Sequence, residues 1–143
     1  MTERADVADA RPTRPAPVVT EDSAVFWDAA KEGELVAQRC ECGRLRHPPR
    51  PMCPHCHSTV WSAEKMSGAG VVHSFALLHH PKHPAYDYPV VAATVDLPEG
   101  IRLVTQIVAA DPTAVSIGMA VRVRFCPTAH HMAVPVFTPE ELG

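Results

Sequence analysis

Long apolar runs, an excess of positive charge and aromatic rings are all scarce in this chain, and each scarcity excludes something. No apolar run approaches the ~20 residues that a membrane-spanning helix requires, so no membrane is expected as a partner. The opening residues, Met1-Thr2-Glu3-Arg4-Ala5-Asp6, mix charges and lead into no apolar segment, which is unlike a secretory signal. The expected location is therefore cytoplasmic. Formal net charge is −3, which gives no global field that favours nucleic acid. From Met66 to Gly143 the basic residues are Lys82, Arg102, Arg122 and Arg124, against Asp87, Asp96, Glu99, Asp111, Glu140 and Glu141. The rings in that stretch are Phe75, Tyr86, Tyr88, Phe125 and Phe137, and strand alternation places some of them inside. Binders of single-stranded nucleic acid need a basic groove and exposed stacking rings. That combination is missing, and no nucleic acid is expected as a partner.

Cysteine is the opposite case. Four of the five cysteines fall within seventeen residues, as Cys40-Glu41-Cys42-Gly43 and Cys53-Pro54-His55-Cys56. Two close pairs of soft thiolates supply what a tetrahedral zinc site needs. A reducing compartment favours metal binding over disulfides. The second pair has the usual two-residue gap, whereas the first has only Glu41 between its members. Cys40, Cys42, Cys53 and Cys56 are the expected ligands of a structural Zn2+. The alternatives are that His47, His55 or His57 replaces one of them, or that the ribbon keeps its shape by packing without metal. A closed set of four thiolates leaves no position for water or substrate, so catalytic zinc is excluded.

At 143 residues there is room for one domain, or for a metal-stapled module plus one compact core. Residues 1–20 are charged and Pro-rich without an apolar face, the pattern of a disordered tail. Residues 21–34 read as a helix that Asp22 or Ser23 caps, with Phe26, Trp27 and Ala30 on its apolar stripe and Lys31-Glu32-Gly33 at its end. Residues 35–65 form the ribbon, from Leu35-Val36-Ala37-Gln38-Arg39 to a return strand at Val60 and Trp61. Residues 66–143 turn to strands. Gly70–Leu78 is long and apolar, and Val90–Leu97 turns through Pro98-Glu99-Gly100 into Ile101–Val108. Asp111-Pro112-Thr113 opens a short helix. Val121, Val123 and Phe125 alternate with Arg122 and Arg124, and a last strand spans about Met132 to Phe137. Five strands with a helical connection between the third and fourth outline a barrel of the OB type. The expected class is mainly β, a helix and zinc ribbon followed by a five-stranded OB-fold barrel.

The order of features resembles a known family. Phe26-Trp27-Asp28-Ala29-Ala30, Gly33-Glu34-Leu35 and Gln38-Arg39-Cys40 come first. Cys42-Gly43, Pro48-Pro49-Arg50 and Cys53-Pro54-His55-Cys56 follow, then Gly68-Ala69-Gly70-Val71-Val72, Tyr88-Pro89-Val90-Val91, Ile117-Gly118-Met119 and Pro135-Val136-Phe137-Thr138-Pro139. From about residue 23 to 140 this is similar to the proteins that join a rubredoxin-like zinc ribbon to an OB-fold, long catalogued as a domain of unknown function. The resemblance implies an accessory subunit that assembles with a thiolase-fold catalytic subunit acting on acyl-CoA, such as the lipid-transfer-protein-like aldolases of steroid side-chain breakdown. It also implies, for some members, a hot-dog-fold hydratase as partner or fusion.

Under that resemblance two loops become candidate sites. Arg44, Arg46 and Arg50 lie on a Pro-stiffened loop between the cysteine pairs and suit the phosphates of coenzyme A; the plainer reading is a solvated basic loop. His79, His80, His83, Tyr86 and Tyr88 form the richest polar cluster. Three prolines there point to an extended projecting loop, so contact with a partner or a substrate channel is favoured over catalysis. Cys126 reads as a small buried hydrophobe, and His130-His131 as a loop or strand edge. Asp96 and Glu99 flank a hairpin without sign of acid–base work. No catalytic residue is expected. The leading reading is a non-catalytic, zinc-stapled subunit of an acyl-CoA retro-aldolase or thiolase. Its rivals are a zinc-ribbon and OB module for single-stranded nucleic acid, and a stand-alone acyl-CoA enzyme, against which stands the lack of a nucleophile–base pair.

Overall fold

The computed structural model describes residues 13–140. The expected tail lies outside the described residues as far as position 12. Within the rest of it, Arg14 forms a parallel β-bridge with Thr128, and its carbonyl accepts the Ala129 N–H at 2.8 Å.

Helix α1 spans Ala24–Lys31. Ser23 occupies the cap position, but its hydroxyl turns back to accept the Thr20 N–H at 2.9 Å instead of capping the helix. The helix ends as its sequence predicts. Gly33 takes a left-handed φ of 79°, and the Gly33 and Glu34 N–H groups bond the carbonyls of Ala30 and Ala29. Phe26 and Ala30 are buried, and the Trp27 ring meets Phe26 edge-on at 4.8 Å.

The ribbon is a three-stranded antiparallel sheet in the order β2-β1-β3, with β1 at Val36–Cys40, β2 at Leu45–Arg46 and β3 at Trp61–Lys65. The sequence had shown Leu45 and Arg46 only as loop. A two-residue strand carries too little periodicity to be seen, and pairing with β1 rather than propensity creates it.

The barrel is closed, in the order β4-β5-β6-β8-β7. Its strands are β4 (Ala69–Leu78), β5 (Val90–Asp96), β6 (Arg102–Ile107), β7 (Ala120–Pro127) and β8 (Ala133–Pro139). All pairs are antiparallel except β6 with β8, which meet in parallel at Ile107 and Phe137. A β-bulge between Val72 and Ser74 bends β4, so that its first half pairs with β7 and its longer run with β5. Gly70, ahead of the bulge and paired with Val121, sits in a crowded spot. A Cβ there would run into the Val95 side chain, with the Asp96 carbonyl 3.3 Å away. The expected connection is a single 3-10 turn at Pro112–Ala114, where the Asp111 carboxylate accepts the Thr113 N–H.

Alternation sets the core. Val91, Ala93 and Val95 of β5, Leu103 and Ile107 of β6, Val121 of β7 and Phe137 of β8 point inward and are almost fully buried. Burying a side chain such as Phe137 contributes about 1.5–3 kcal/mol. Phe26 of the helix, Leu35 and Ala37 of the ribbon and Met66 of the connection join the same cluster. Helix, ribbon and barrel therefore share one apolar interior.

Candidate metal centre and adjoining loops

The ribbon sheet ends in two turns that face each other. In the first, Gly43 adopts φ 96° and returns its N–H to the Cys40 carbonyl at 2.8 Å, while the Cys40 N–H bonds the Arg44 carbonyl. Glycine takes this left-handed φ without steric penalty and so lets the chain turn directly after Cys42. Despite the short gap, the Cys40 and Cys42 thiols reach the same cluster. In the second turn the His57 N–H donates to the Cys53 carbonyl at 2.9 Å.

The four thiols converge. All Sγ atoms lie within 4.8 Å of one another, with Cys40 to Cys56 at 3.4 Å and Cys42 to Cys53 at 3.9 Å. Sulfurs about 2.3 Å from a central ion form a tetrahedron with edges of about 3.8 Å. The donor set thus fits a tetrahedral thiophilic cation. Cys40 and Cys53 are buried, while Cys42 and Cys56 are exposed. N–H groups of Cys42, His55 and Cys56 point at the two buried sulfurs, at 3.5, 3.4 and 3.4 Å. The Cys56 N–H is the largest influence bringing the Cys53 thiol down to about 6, against the effect of burial. For Cys56 the Ser58 N–H acts downward, but the neighbouring thiols and burial outweigh it and push that thiol up to about 12. One proton leaves easily and a further one does not, since a second thiolate is repelled by the first. A cation removes that conflict. His47, His55 and His57 contribute no atom to the cluster.

Side chains brace the two turns. Arg39 grips Glu64 through Nε and Nη2 at 2.6 and 2.7 Å, and its Nη1 donates to the Gly43 carbonyl at 2.6 Å. The pair holds the Glu64 carboxyl below its usual range. Glu41, the single residue between the first two cysteines, accepts a hydrogen bond from Ser58 after the second pair.

The three arginines between the pairs separate. Arg44 and Arg50 are exposed, whereas Arg46 is 8% exposed and faces inward from β2. The Arg50 N–H donates to Gln38 Oε1 at 2.9 Å, and Arg46 Nη2 donates to the Arg50 carbonyl at 3.2 Å. His47 packs on Phe26 with ring centroids 5.2 Å apart, and burial lowers its pKa. The role of Gln38 leaves no mark in the sequence, because an isolated glutamine on a strand carries no spacing signal.

The His79–Tyr88 stretch is more ordered than an extended projection. The His83 N–H donates to the Tyr88 hydroxyl at 2.7 Å, the Ala85 N–H donates to His83 Nδ1 at 3.0 Å, and the His83 and Tyr86 rings meet at 5.6 Å. Side-chain acceptors thus satisfy the His83 and Ala85 N–H groups in a stretch where Pro81 and Pro84 rule out a regular ladder. His79 and His80 stay exposed. The Arg14 guanidinium lies over the Tyr86 ring, 4.8 Å from its centroid, and so ties this loop to the β7–β8 turn through the Thr128 bridge. Asp96 bonds Arg102 and faces His73, Glu99 accepts the Ser67 N–H, and Cys126 is half-buried on β7.

Comparison with known proteins bears on this arrangement. Residues 27–62 match the family described as the ChsH2 rubredoxin-like zinc ribbon domain, and residues 63–126 match the ChsH2 C-terminal OB-fold domain. A solved structure of the Ltp2-ChsH2(DUF35) aldolase superposes with a TM-score of 0.82 at 44% identity, covering 87% of this chain and 98% of that one. A probable enoyl-CoA hydratase alpha subunit of Thermomonospora curvata is 45% identical over 127 residues, 88% of this chain and 40% of that protein. The 3-oxo-4,17-pregnadiene-20-carboxyl-CoA hydratase alpha subunit of Mycobacterium tuberculosis is 42% identical over 109 residues, 76% of this chain and 35% of that protein. The chain thus spans well under half the length of these two curated relatives. Among the described residues, no helix is long and apolar enough to cross a membrane.

Proposed function

The chain belongs to the DUF35 family, with the zinc ribbon and OB-fold of ChsH2, and from that membership we propose that it is a non-catalytic subunit of an acyl-CoA carbon–carbon lyase. The observation that carries the reading is the likeness to the ChsH2 chain of an aldolase, which extends over nearly all of that chain. The partner is then a thiolase-fold subunit that holds the reacting groups, and retro-aldol cleavage is favoured over thiolysis. The steroid-derived acyl-CoA in the name of one relative supports a bulky acyl-CoA as substrate, and the two alpha subunits make a hot-dog-fold hydratase a second candidate partner. The setting is cytoplasmic, where the thiols stay reduced.

In this reading Cys40, Cys42, Cys53 and Cys56 hold Zn2+. When bound, the ion supplies no reaction chemistry, because four thiolates fill its tetrahedron. Its service is to fix the two turns, and with them the loop that carries Arg44 and Arg50. These two exposed guanidinium groups suit the phosphates of coenzyme A. The His83–Tyr86–Tyr88 network supplies a docking or substrate-channel surface beside the barrel.

The test is co-expression with a thiolase-fold partner. The pair should elute as one complex, and cleavage of a steroid-derived acyl-CoA should need both chains. A partner that is fully active alone and does not co-elute would refute the reading. Arg44→Ala with Arg50→Ala should raise KM for the acyl-CoA and leave assembly intact. Replacing His79, His80 and His83 by alanine should weaken assembly without changing turnover of the assembled complex.

A further inference from the structure

Arg46 is the only buried charged side chain among the described residues, and no carboxylate among them forms an ion pair with it. Only its Nη2 has a partner, the Arg50 carbonyl; Nε and Nη1 are buried without one. A buried, uncompensated cation is costly. Gln38, 3% exposed and directly opposite across the β1–β2 pairing, offers no charge, and its own Nε2 also lacks a partner.

Strand register relates Arg46 to the cysteine cluster. Gln38 and Arg46 oppose each other, and Cys40 follows Gln38 by two residues, so all three share one face of the sheet. Diagonal neighbours on one face sit about 7–8 Å apart. Ala37 and Leu45, on the other face, belong to the apolar interior. Beyond Arg46 the chain folds over the same face, is pinned at Arg50 by both Gln38 and Arg46, and continues to Cys53. The two buried thiols, Cys40 and Cys53, therefore stand at the ends of the backbone that encloses Arg46.

Four thiolates around a dication carry a net charge of −2, since +2 and −4 are summed. The N–H groups of Cys42, His55 and Cys56 address the buried sulfurs but bring no full charge. We propose that Arg46 is the buried countercharge of this centre. It acts by through-space attraction rather than by donating to sulfur, and it halves the net charge that the ribbon must bury. The relation is reciprocal: the metal–thiolate anion is what makes a buried guanidinium tolerable. Arg46 thereby leaves the set of phosphate-binding arginines and becomes a determinant of metal affinity. The inference rests on the zinc reading above.

The test compares Arg46→Met, Arg46→Gln and Arg46→Lys in the full chain, with zinc affinity read by competition against a chromophoric chelator. Thermal unfolding of the zinc-loaded and metal-stripped forms is followed in parallel. Loss of the charge in the Met and Gln variants should weaken zinc binding about 10- to 100-fold, the range seen when residues that support metal ligands are changed. Lys should retain most of the affinity. The sign should reverse between states: Arg46→Met lowers the unfolding temperature of the loaded protein and does not lower that of the stripped one. Zinc affinity unchanged in the Met and Gln variants, or equal destabilisation of both forms, would overturn the inference while leaving the zinc site standing. A wild-type protein that takes up no zinc would overturn both.

Discussion

In the proposed zinc-bound form, stripping the metal from the four thiols should dissolve the ribbon and spare the barrel. The ribbon consists of strands of five, two and five residues, and sheets that small are marginal in water by themselves. Its buried apolar side chains are few, and two of them, Leu35 and Ala37, belong to an interior that is mostly barrel. Against that, structural zinc contributes an apparent ~10–16 kcal/mol in small ribbons and fingers, as much as the ~5–15 kcal/mol that stabilises a whole domain. The barrel closes on its own strands and buries Val72, Val95, Leu103, Val121 and Phe137 at 2% exposure or less. Detaching the ribbon uncovers Leu35, Met66 and Phe26, which costs about 1.5–3 kcal/mol for each side chain. That weakens the barrel without abolishing it. Hydrogen exchange of the full chain, before and after a strong chelator, provides the assay. Even ~4 kcal/mol of lost protection is about a thousandfold in rate, so amides of Val36–Cys40 and Trp61–Lys65 should accelerate at least that much, while those of β5 and β6 stay slow. Unchanged protection in the ribbon would refute the argument. So would simultaneous loss everywhere, which would mean that the metal holds the entire fold.

Gly70→Ala should lower stability against urea by about 1–3 kcal/mol, the usual cost of overpacking, because the new methyl runs into Val95 beside the Asp96 backbone; an unchanged midpoint would show that β4 shifts freely there. Burial lowers the pKa of His47, so its contribution is fully present above the unfolded value of about 6.5 and is lost as pH falls through the folded value. His47→Phe, which keeps the packing on Phe26, should flatten stability below about pH 6.5, and equal pH slopes in the two proteins would count against this. Arg14→Ala removes the cation from the Tyr86 ring and should speed exchange at the Ala129 amide by about 2- to 5-fold. No change there would mean that the backbone bridge alone fastens the segment.

Strands with clean alternation, such as Val91, Ala93, Val95 and Val121, Val123, Phe125, were legible in the sequence because period-two burial is written directly into side-chain choice. So was the cysteine quartet, since close thiol pairs have few other uses in a reducing compartment. What escaped was set by contacts distant in sequence. Leu45 and Arg46 become a strand only by lying against β1, which turns one of three apparently equivalent arginines inward. Ser23 sits at the helix cap, yet Thr20 captures its hydroxyl. Arg14 looked like part of a solvated run until Tyr86 and Thr128, more than seventy residues away, came within reach.

The unequal seams of the barrel dictate an order of assembly. β4, β5 and β6 form a meander and β7 and β8 a hairpin, each made of contacts close in sequence. The two pieces pair through the parallel junction at Ile107 and Phe137 and the short pairing of Ala69–Val71 with Ala120–Arg122. Closing a distant pair demands loop entropy before it returns any contact, so the meander and the hairpin precede closure, and Phe137 locks last. Truncating Phe137 should therefore accelerate unfolding far more than it slows folding. A folding rate that fell in proportion to the lost stability would place this seam in the nucleus instead.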